Sequence, residues 1–527
     1  MNIAELLGAQ ARERPDAPAL IDGRGRRNRL RTYSQLDTEA RQLVTLLQGS
    51  GLQMGDTVLV LQPMSIELYV VLVAIFRMGL VAMFLDPSAG RDHIEECFRL
   101  REPRALIAST TAHLLRLRSS ALRRIPVKFS IGFPLPGATS LGKARGHERS
   151  DTMEDCSSDT PALVTFTSGS AGKPKAVLRT HGFLMAQHRA LEQALDLKAG
   201  EVDLSTQPIF VLANLASGVT SIIPDADMRR PGAIDAAPVV LQALAHQATR
   251  SAAAPIFFER LIDYCEREKQ QLSGLQKIYT GGGPVSPVLL DGLAQLAPCA
   301  EVTIVYGSTE AEPIASVSRR DIGHDDFSAI RAGRGLLVGR PVPFIELKIM
   351  KDRWGSSVGR LYPEEFDNEC QLVGEAGEIV VSGEHVLSNY LDSSVDEGNK
   401  FDVGQTRWHR TGDAGFLDGQ GRLWLLGRCS ARIEDHEGLL YPFCAEQAAL
   451  QHPFVRYAAV VSLRGQRVLA IETYDHIVQE SRRRLLLESV KFSGIEELHL
   501  VQDMPVDNRH NSKIDYPRLK KLLGANR

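Results

Sequence analysis

Three apolar runs set the pattern early in the chain. TVLVLQ (57–62) is short enough for a buried strand, ELYVVLVAIFRMG (67–79) is apolar on all sides over a helical length, and LVAMFL (80–85) is a second short run. Ser65 is placed to cap the helix and Gly79 to end it, so the order predicts strand, helix, strand within about 30 residues. That is the βαβ unit of a parallel sheet covered by helices. Residues 67–86 are long enough to be weighed as a membrane span, but Arg77 and Gly79 interrupt them near the middle, where a charge in lipid is costly. A buried helix followed by a strand is the expectation.

The alternation recurs. KIYTGGG ends a short strand at three glycines, VSPVLLDGLAQL starts a helix with Ser286 as cap and Pro287 in its first turn, and EVTIVYG reads as the next strand. Residues 138–160 are polar, rich in Ser, Asp and Gly, and without hydrophobic period, which predicts a loop or linker. GEIVVSG and WHRTGDAGFLDGQGRLWLLGR read as short β-strands, so β structure is expected to take over near residues 340–427. The predicted fold is α/β: a large body of residues 1–427 with a β-rich subdomain, then a small C-terminal α/β domain of residues 428–527.

Composition narrows the classes. The chain has 527 residues, 61 basic against 64 acidic, so no global field draws it to DNA or to an anionic membrane; nucleic acid is not an expected partner. Seven cysteines are scattered singly, without a C-x-x-C pair, which fits a reducing compartment. The first twenty residues carry Glu5 inside their first apolar patch and no long apolar core, so they do not read as a secretory signal. The cytoplasm is the expected location. The basic stretch LLRLRSSALRR (114–124) reads as a solvated helix face.

Three segments carry chemistry. TFTSGSAGKPKAV (165–177) follows the strand PALVTF with hydroxyls, glycines and two lysines, the groups a polyphosphate needs; it lacks the Walker A spacing, and by composition alone a flexible Ser/Gly turn explains it equally well. VYGSTEAEP (305–313) puts Thr309 and Glu310 at the end of a strand. Glu310 can hold Mg²⁺, Thr309 can touch phosphate and Tyr306 can stack on a base, although a solvated glutamate in a turn is the commoner reading of such a residue. In the third, WHRTGDAGFLDGQGRLWLLGR (408–428), Asp413 can accept from ribose hydroxyls and Arg428 ends a strand, although Asp after Thr-Gly is also a common turn.

Together and in this order, the segments resemble the adenylate-forming superfamily of acyl-CoA synthetases, nonribosomal-peptide adenylation domains and luciferases. The resemblance runs from PDAPAL near the start to the lysine of MPVDNRHNSKID (504–515). It implies ATP-dependent conversion of a carboxylic acid to an acyl-AMP, with Mg²⁺. It assigns Thr167, Ser168, Gly169, Ser170, Gly172 and Lys175 to a phosphate loop, and Gly281, Gly282, Gly283 and Tyr306 to an adenine pocket. Thr309 would contact the α-phosphate, Glu310 would bind Mg²⁺, Asp413 and Arg428 would hold ribose, and Lys513 would be the catalytic lysine on a C-terminal domain that rotates after adenylation. A lysine suits this chemistry: two charges about 4 Å apart interact by about 4 kcal/mol at an effective dielectric of about 20.

Four departures from the family pattern sharpen the reading. Ala176 replaces the usual glycine after the loop lysine, the hinge reads Cys429, Ser430, Ala431, and ARIEDHEGLLYPFCAEQ lacks the usual form of the second-step loop, which speaks against a pantetheine-binding face and against CoA. Arg509 and His510 fill a longer approach to Lys513. That spelling, with GLLYPF and PIFVLANLASGVTSIIPD, is similar to the β-lactone synthetase branch of the olefin pathway, in which a β-hydroxy fatty acid is adenylated and its own hydroxyl displaces AMP. An acyl pocket is implied near residues 208–223. A thioester-forming ligase acting on CoA or a carrier protein is the rival reading, and a non-catalytic binder of nucleotide or acyl-adenylate is the rival of another class.

Overall fold

The computed structural model describes residues 1–23, 29–86, 90–168, 174–506 and 514–525. They form two compact units, one of residues 1–225 with 384–397, the other of 226–383 with 398–527.

In the first unit, strand Thr57–Leu61 pairs in parallel with both Val81–Phe84 and Ala105–Ser109. The expected crossover helix is Ile66–Arg77: Ser65 Oγ accepts from the Leu68 N–H at 3.3 Å, and the chain leaves the helix through Gly79 at φ +60°. Every residue of this helix but Glu67 is buried, Arg77 included. Arg77 meets Asp37 at 3.1 Å, and its burial lowers its pKa. Among the described residues no helix is long and apolar enough to cross a membrane.

The seven-stranded sheet extends to Val127–Ile131 and Thr139–Ser140 on one side, and through Val81–Phe84 to Pro161–Ser168 and the antiparallel Pro174–Thr180 on the other. Strands Val202–Ser205, Thr220–Ile223 and Pro18–Asp22 form a second parallel run. The polar stretch 138–160 is not wholly loop, because Ser140 Oγ accepts from the Gly142 N–H at 3.3 Å and caps a 3-10 helix, Leu141–Gly146. LLRLRSSALRR is likewise broken, into a 3-10 helix, Ala112–Leu117, and a short helix, Ser120–Arg124.

The second unit begins as parallel α/β and turns antiparallel. Arg250–Ala253, Lys277–Gly281 and Glu301–Ser308 pair in parallel, with helix Pro287–Leu296 between the last two capped by Ser286 as expected. From Ala311–Ser318 onward each added strand is antiparallel, in the order Leu336–Pro341, Leu423–Arg428, Thr406–Leu417, Gly377–Ser382, Glu346–Met350. The change of pattern therefore comes at the Thr309–Glu310 turn, some thirty residues before the expected β region. A parallel pair needs a crossover element, whereas two residues suffice to reverse an antiparallel one.

Toward the C-terminus a three-stranded sheet, Val455–Leu463, Gln466–Thr473 and Glu497–Leu500, separates two apolar clusters. Ala458, Val460, Leu469 and Ile471 face one cluster with helices Pro442–Ala449 and Glu480–Ser489, while Ala459, Val461, Val468 and Ala470 face the other with Leu519 and Leu523 of helix Tyr516–Ala525. Strict alternation along each strand is what gives one sheet two buried faces.

Candidate active site

Strands Thr406–Leu417 and Leu423–Arg428 pair antiparallel with Asp413 directly opposite Arg428. Register alone thus sets the two side chains side by side, and Arg428 Nη1 lies 3.1 Å from Asp413 Oδ1. The third member arrives from Glu301–Ser308: Tyr306 donates its hydroxyl to Asp413 Oδ2 at 2.7 Å. Asp413 is buried, Tyr306 is half-buried and Arg428 is largely exposed. Burial and the adjoining carboxylate raise the Tyr306 phenol well above its ordinary pKa, so it stays a donor. The Asp413 carboxylate raises the pKa of Arg428, with Tyr306 and Glu310 adding to the field.

Thr411 carries this cluster although its sequence context flagged only Asp413. Its hydroxyl donates to the Ile379 carbonyl at 2.8 Å and accepts from the Asp413 N–H at 3.0 Å, while its own carbonyl accepts from Arg428 at 3.3 Å. Beneath it, Arg410 and Glu378 form a fully buried pair with contacts of 2.6–3.1 Å, and Arg410 also donates to the Ser356 carbonyl at 2.6 Å. The signal available in the sequence was the triplet Thr411-Gly412-Asp413 after an arginine on a strand.

Space and backbone conformation explain the first two glycines of the run. Gly281 ends its strand beside Glu301–Ser308, where a Cβ would stand 2.0 Å from the Val305 carbonyl oxygen; Gly282 follows at φ +75°. Contact excludes a side chain at Gly281, which lies in parallel register with the strand that supplies Tyr306, and the left-handed backbone strains one at Gly282. Thr309 and Glu310 form the two-residue turn after that strand, Thr309 exposed and Glu310 half-buried. Among the described residues no three His, Cys, Asp or Glu side chains converge as a metal cage.

In the first unit, strand Pro174–Thr180 places Lys175 Nζ 5.6 Å from the centre of the Tyr390 ring. Tyr390 and Leu391 are tied to the same strand, Leu391 N–H donating to the Ala176 carbonyl at 2.9 Å. Ala176 is fully buried in extended pairing with Phe166, so its methyl needs no left-handed backbone and is absorbed by the sheet. Helix Pro208–Ala216 buries Asn214, which donates to Asp203 at 2.6 Å, Ser205 at 2.9 Å and Ser221 at 3.0 Å. Segment 208–223 is therefore anchored by a polar knot as well as by apolar packing. Gly169, Ser170, Gly172, Arg509, His510 and Lys513 lie outside the described residues, as do the side chains of Thr167 and Ser168.

Residues 7–391 match the family model of the AMP-binding enzymes. The chain is 30% identical to the olefin beta-lactone synthetase of Xanthomonas campestris pv. campestris, over 98% of this chain and 96% of that protein. It is also 30% identical to the olefin beta-lactone synthetase of Stenotrophomonas maltophilia, over 99% and 98%. Among solved structures, the anthranilate CoA ligase AuaEII in complex with anthranoyl-AMP superposes with a TM-score of 0.82 at 19% identity, covering 100% of this chain and 98% of that one, which is a likeness of fold. With the Tyr306–Asp413–Arg428 cluster standing in that fold, the chain belongs to the AMP-binding enzyme family and is an adenylate-forming ligase.

Proposed function

We propose that this ligase activates a lipid-like β-hydroxy carboxylic acid as its acyl-AMP and then closes it to a β-lactone. The observation that carries the reading is the end-to-end 30% identity with two proteins named olefin beta-lactone synthetase. The spellings RHNSKI, GLLYPF and PIFVLANLASGVTSIIPD point the same way.

In the first step a carboxylate oxygen attacks the α-phosphorus of ATP and pyrophosphate leaves. In the second the β-hydroxyl oxygen attacks the acyl carbon, the carbon–oxygen bond to AMP breaks, and the hydroxyl proton passes to solvent or to the departing phosphate. No CoA is consumed. Asp413, braced by Tyr306 and Arg428, accepts from the ribose hydroxyls, and the backbone of Gly281, Gly282 and Gly283 admits the adenine ring beside Tyr306. Thr167, Ser168, Gly169, Ser170, Gly172 and Lys175 hold the leaving pyrophosphate, Thr309 contacts the α-phosphate, and Lys513, on a lid of residues 428–527, neutralises charge as carboxylate and phosphate approach. Bound at Glu310, Mg²⁺ would supply charge neutralisation on the phosphates.

The test is to incubate the purified protein with ATP, Mg²⁺ and a panel of 3-hydroxy fatty acids, with and without CoA, and to follow pyrophosphate, AMP and organic products by mass spectrometry. A lactone, two mass units of hydrogen and one oxygen lighter than the acid and formed without CoA, is expected. A CoA-dependent thioester, or pyrophosphate release without lactone from every acid, sinks the lactone reading and leaves adenylation standing.

A further inference from the structure

Between Pro103 and His147 the chain carries eight lysines and arginines and no aspartate or glutamate, although the charges of the whole sequence nearly cancel. Part of this excess is structural: Arg104 pairs with Asp56 at 3.2 Å, and Lys128 turns inward to the Ile125 carbonyl. Arg116, Arg118 and Arg123 collect instead around the 3-10 helix Ala112–Leu117. Arg123 donates to the carbonyls of Arg116 and Leu117 at 3.1 and 3.2 Å, and Arg116 reaches His113 Nδ1 at 3.4 Å. Glu95, which lies in the field of Arg124, is engaged by Arg91 at 3.0 Å.

The same helix presents apolar side chains to water. Residues three apart eclipse in a 3-10 helix, so Leu114 and Leu117 share one face, and they are 61% and 76% exposed. The neighbouring parallel strand, Val127–Ile131, ends in a loop that adds Phe133, 79% exposed, whose N–H donates to Thr110 Oγ1 at 3.0 Å just before the helix begins. Single exposed apolar residues are ordinary, but three large ones gathered at one end of two adjoining strands, among arginines, mark an interaction surface.

We propose that this surface docks on an anionic lipid bilayer, Leu114, Leu117 and Phe133 entering the headgroup boundary while Arg116 and Arg118 sit at the lipid phosphates. Lipid chains accept protruding side chains in any arrangement, whereas an acidic protein would have to offer a matching pocket for each. The attraction is local and does not need a basic chain, since it acts within a Debye length of the surface.

The test is co-sedimentation of the full chain with vesicles of phosphatidylcholine alone or mixed with phosphatidylglycerol, at low and high salt. Wild type is expected to pellet with the anionic vesicles at low salt and to be released by high salt. R116Q/R118Q should lose more than about tenfold in partition, because each basic side chain at such a surface contributes about fivefold. L114S/L117S/F133S should lose at least as much, while L241S/L244S, equally apolar positions exposed on helix Ala236–Ala245, should bind as wild type does. Wild type remaining in the supernatant with both vesicles overturns the proposal, as does a triple serine variant that partitions like wild type. Retention on immobilised polyglutamate without vesicle binding also overturns it and gives the surface to an acidic protein.

Discussion

The hydroxyl of Tyr516 donates to the buried carboxyl of Glu446 at 2.8 Å, and the Val460 N–H donates to the same oxygen at 2.9 Å. Tyr516 opens the helix that follows Lys513, so this bond ties the chain after the lysine to helix Pro442–Ala449. On the other flank, Met504 N–H donates to the buried Glu472 at 2.7 Å, and Val506 bridges to Ile514. Two buried carboxylates thus hold both ends of the segment that carries Lys513.

Glu446 makes stability depend on pH. Burial pushes its carboxyl up to about 7, above its unfolded value, so the folded chain holds a proton that the unfolded chain releases. Stability is therefore full below about pH 4.5 for this group and declines as pH rises toward 7, with a total loss on the order of 3 kcal/mol. Glu446→Gln keeps an acceptor for Tyr516 and Val460 without the charge. Denaturant unfolding should find the variant more stable than wild type at pH 8 and equal to it at pH 4.5; equal midpoints at both pH values would sink this assignment.

The Tyr306–Asp413–Arg428 cluster predicts a graded loss of nucleotide affinity. Tyr306→Phe removes one donor to Asp413 and leaves the carboxylate and Arg428 in place, which should weaken ATP binding by about tenfold at most. Asp413→Ala removes the acceptor itself and strands Arg428, so its loss should exceed that of Tyr306→Phe by a further factor of about ten or more. Calorimetric titration with ATP orders the two variants. The reverse order would place the nucleotide elsewhere.

Arg410 and Glu378 answer to stability rather than to ligand. Both are fully buried and meet through three contacts, so Arg410→Met alone leaves a carboxylate that burial already disfavours, as its raised pKa shows. Loss of one partner of such a pair costs about 3–5 kcal/mol, while replacing both with apolar residues of similar volume is often neutral. Urea unfolding should rank wild type and R410M/E378M close together and R410M well below. A single variant as stable as wild type would show that the pair is unimportant.

Local signals were the legible ones. Ser65, Gly79, Ser286 and Pro287 each act within four residues of where they stand, and the elements they bound fall where the apolar period put them. Tyr306 and Asp413, 107 residues apart, meet only because two separate strands are threaded into one sheet in a fixed register, which no local pattern encodes. Residues 384–397 show the same limit: they pack with a unit whose main chain ended at Asp225, through pairing of Tyr390 with Val177. Family resemblance supplied Asp413 and Arg428 in advance. It did not supply Thr411, which bonds to both Asp413 and Arg428, or the buried pair of Glu378 and Arg410.

Lys513 separates binding from chemistry. If its charge is used as carboxylate and α-phosphate come together, Lys513→Ala should leave the ATP dissociation constant within about twofold of wild type, because the nucleotide contacts argued above come from other residues. Adenylation should fall far more: a charge interaction of about 4 kcal/mol in the transition state corresponds to roughly a thousandfold in rate. Calorimetry gives the first number, and acid-dependent pyrophosphate exchange gives the second. The flanking anchors supply a control, since Tyr516→Phe leaves Lys513 in place but cuts the bond to Glu446. Its exchange rate should fall between those of wild type and Lys513→Ala, with ATP affinity unchanged. An exchange rate for Lys513→Ala equal to that of wild type would remove the lysine from the reaction, whatever the anchors do.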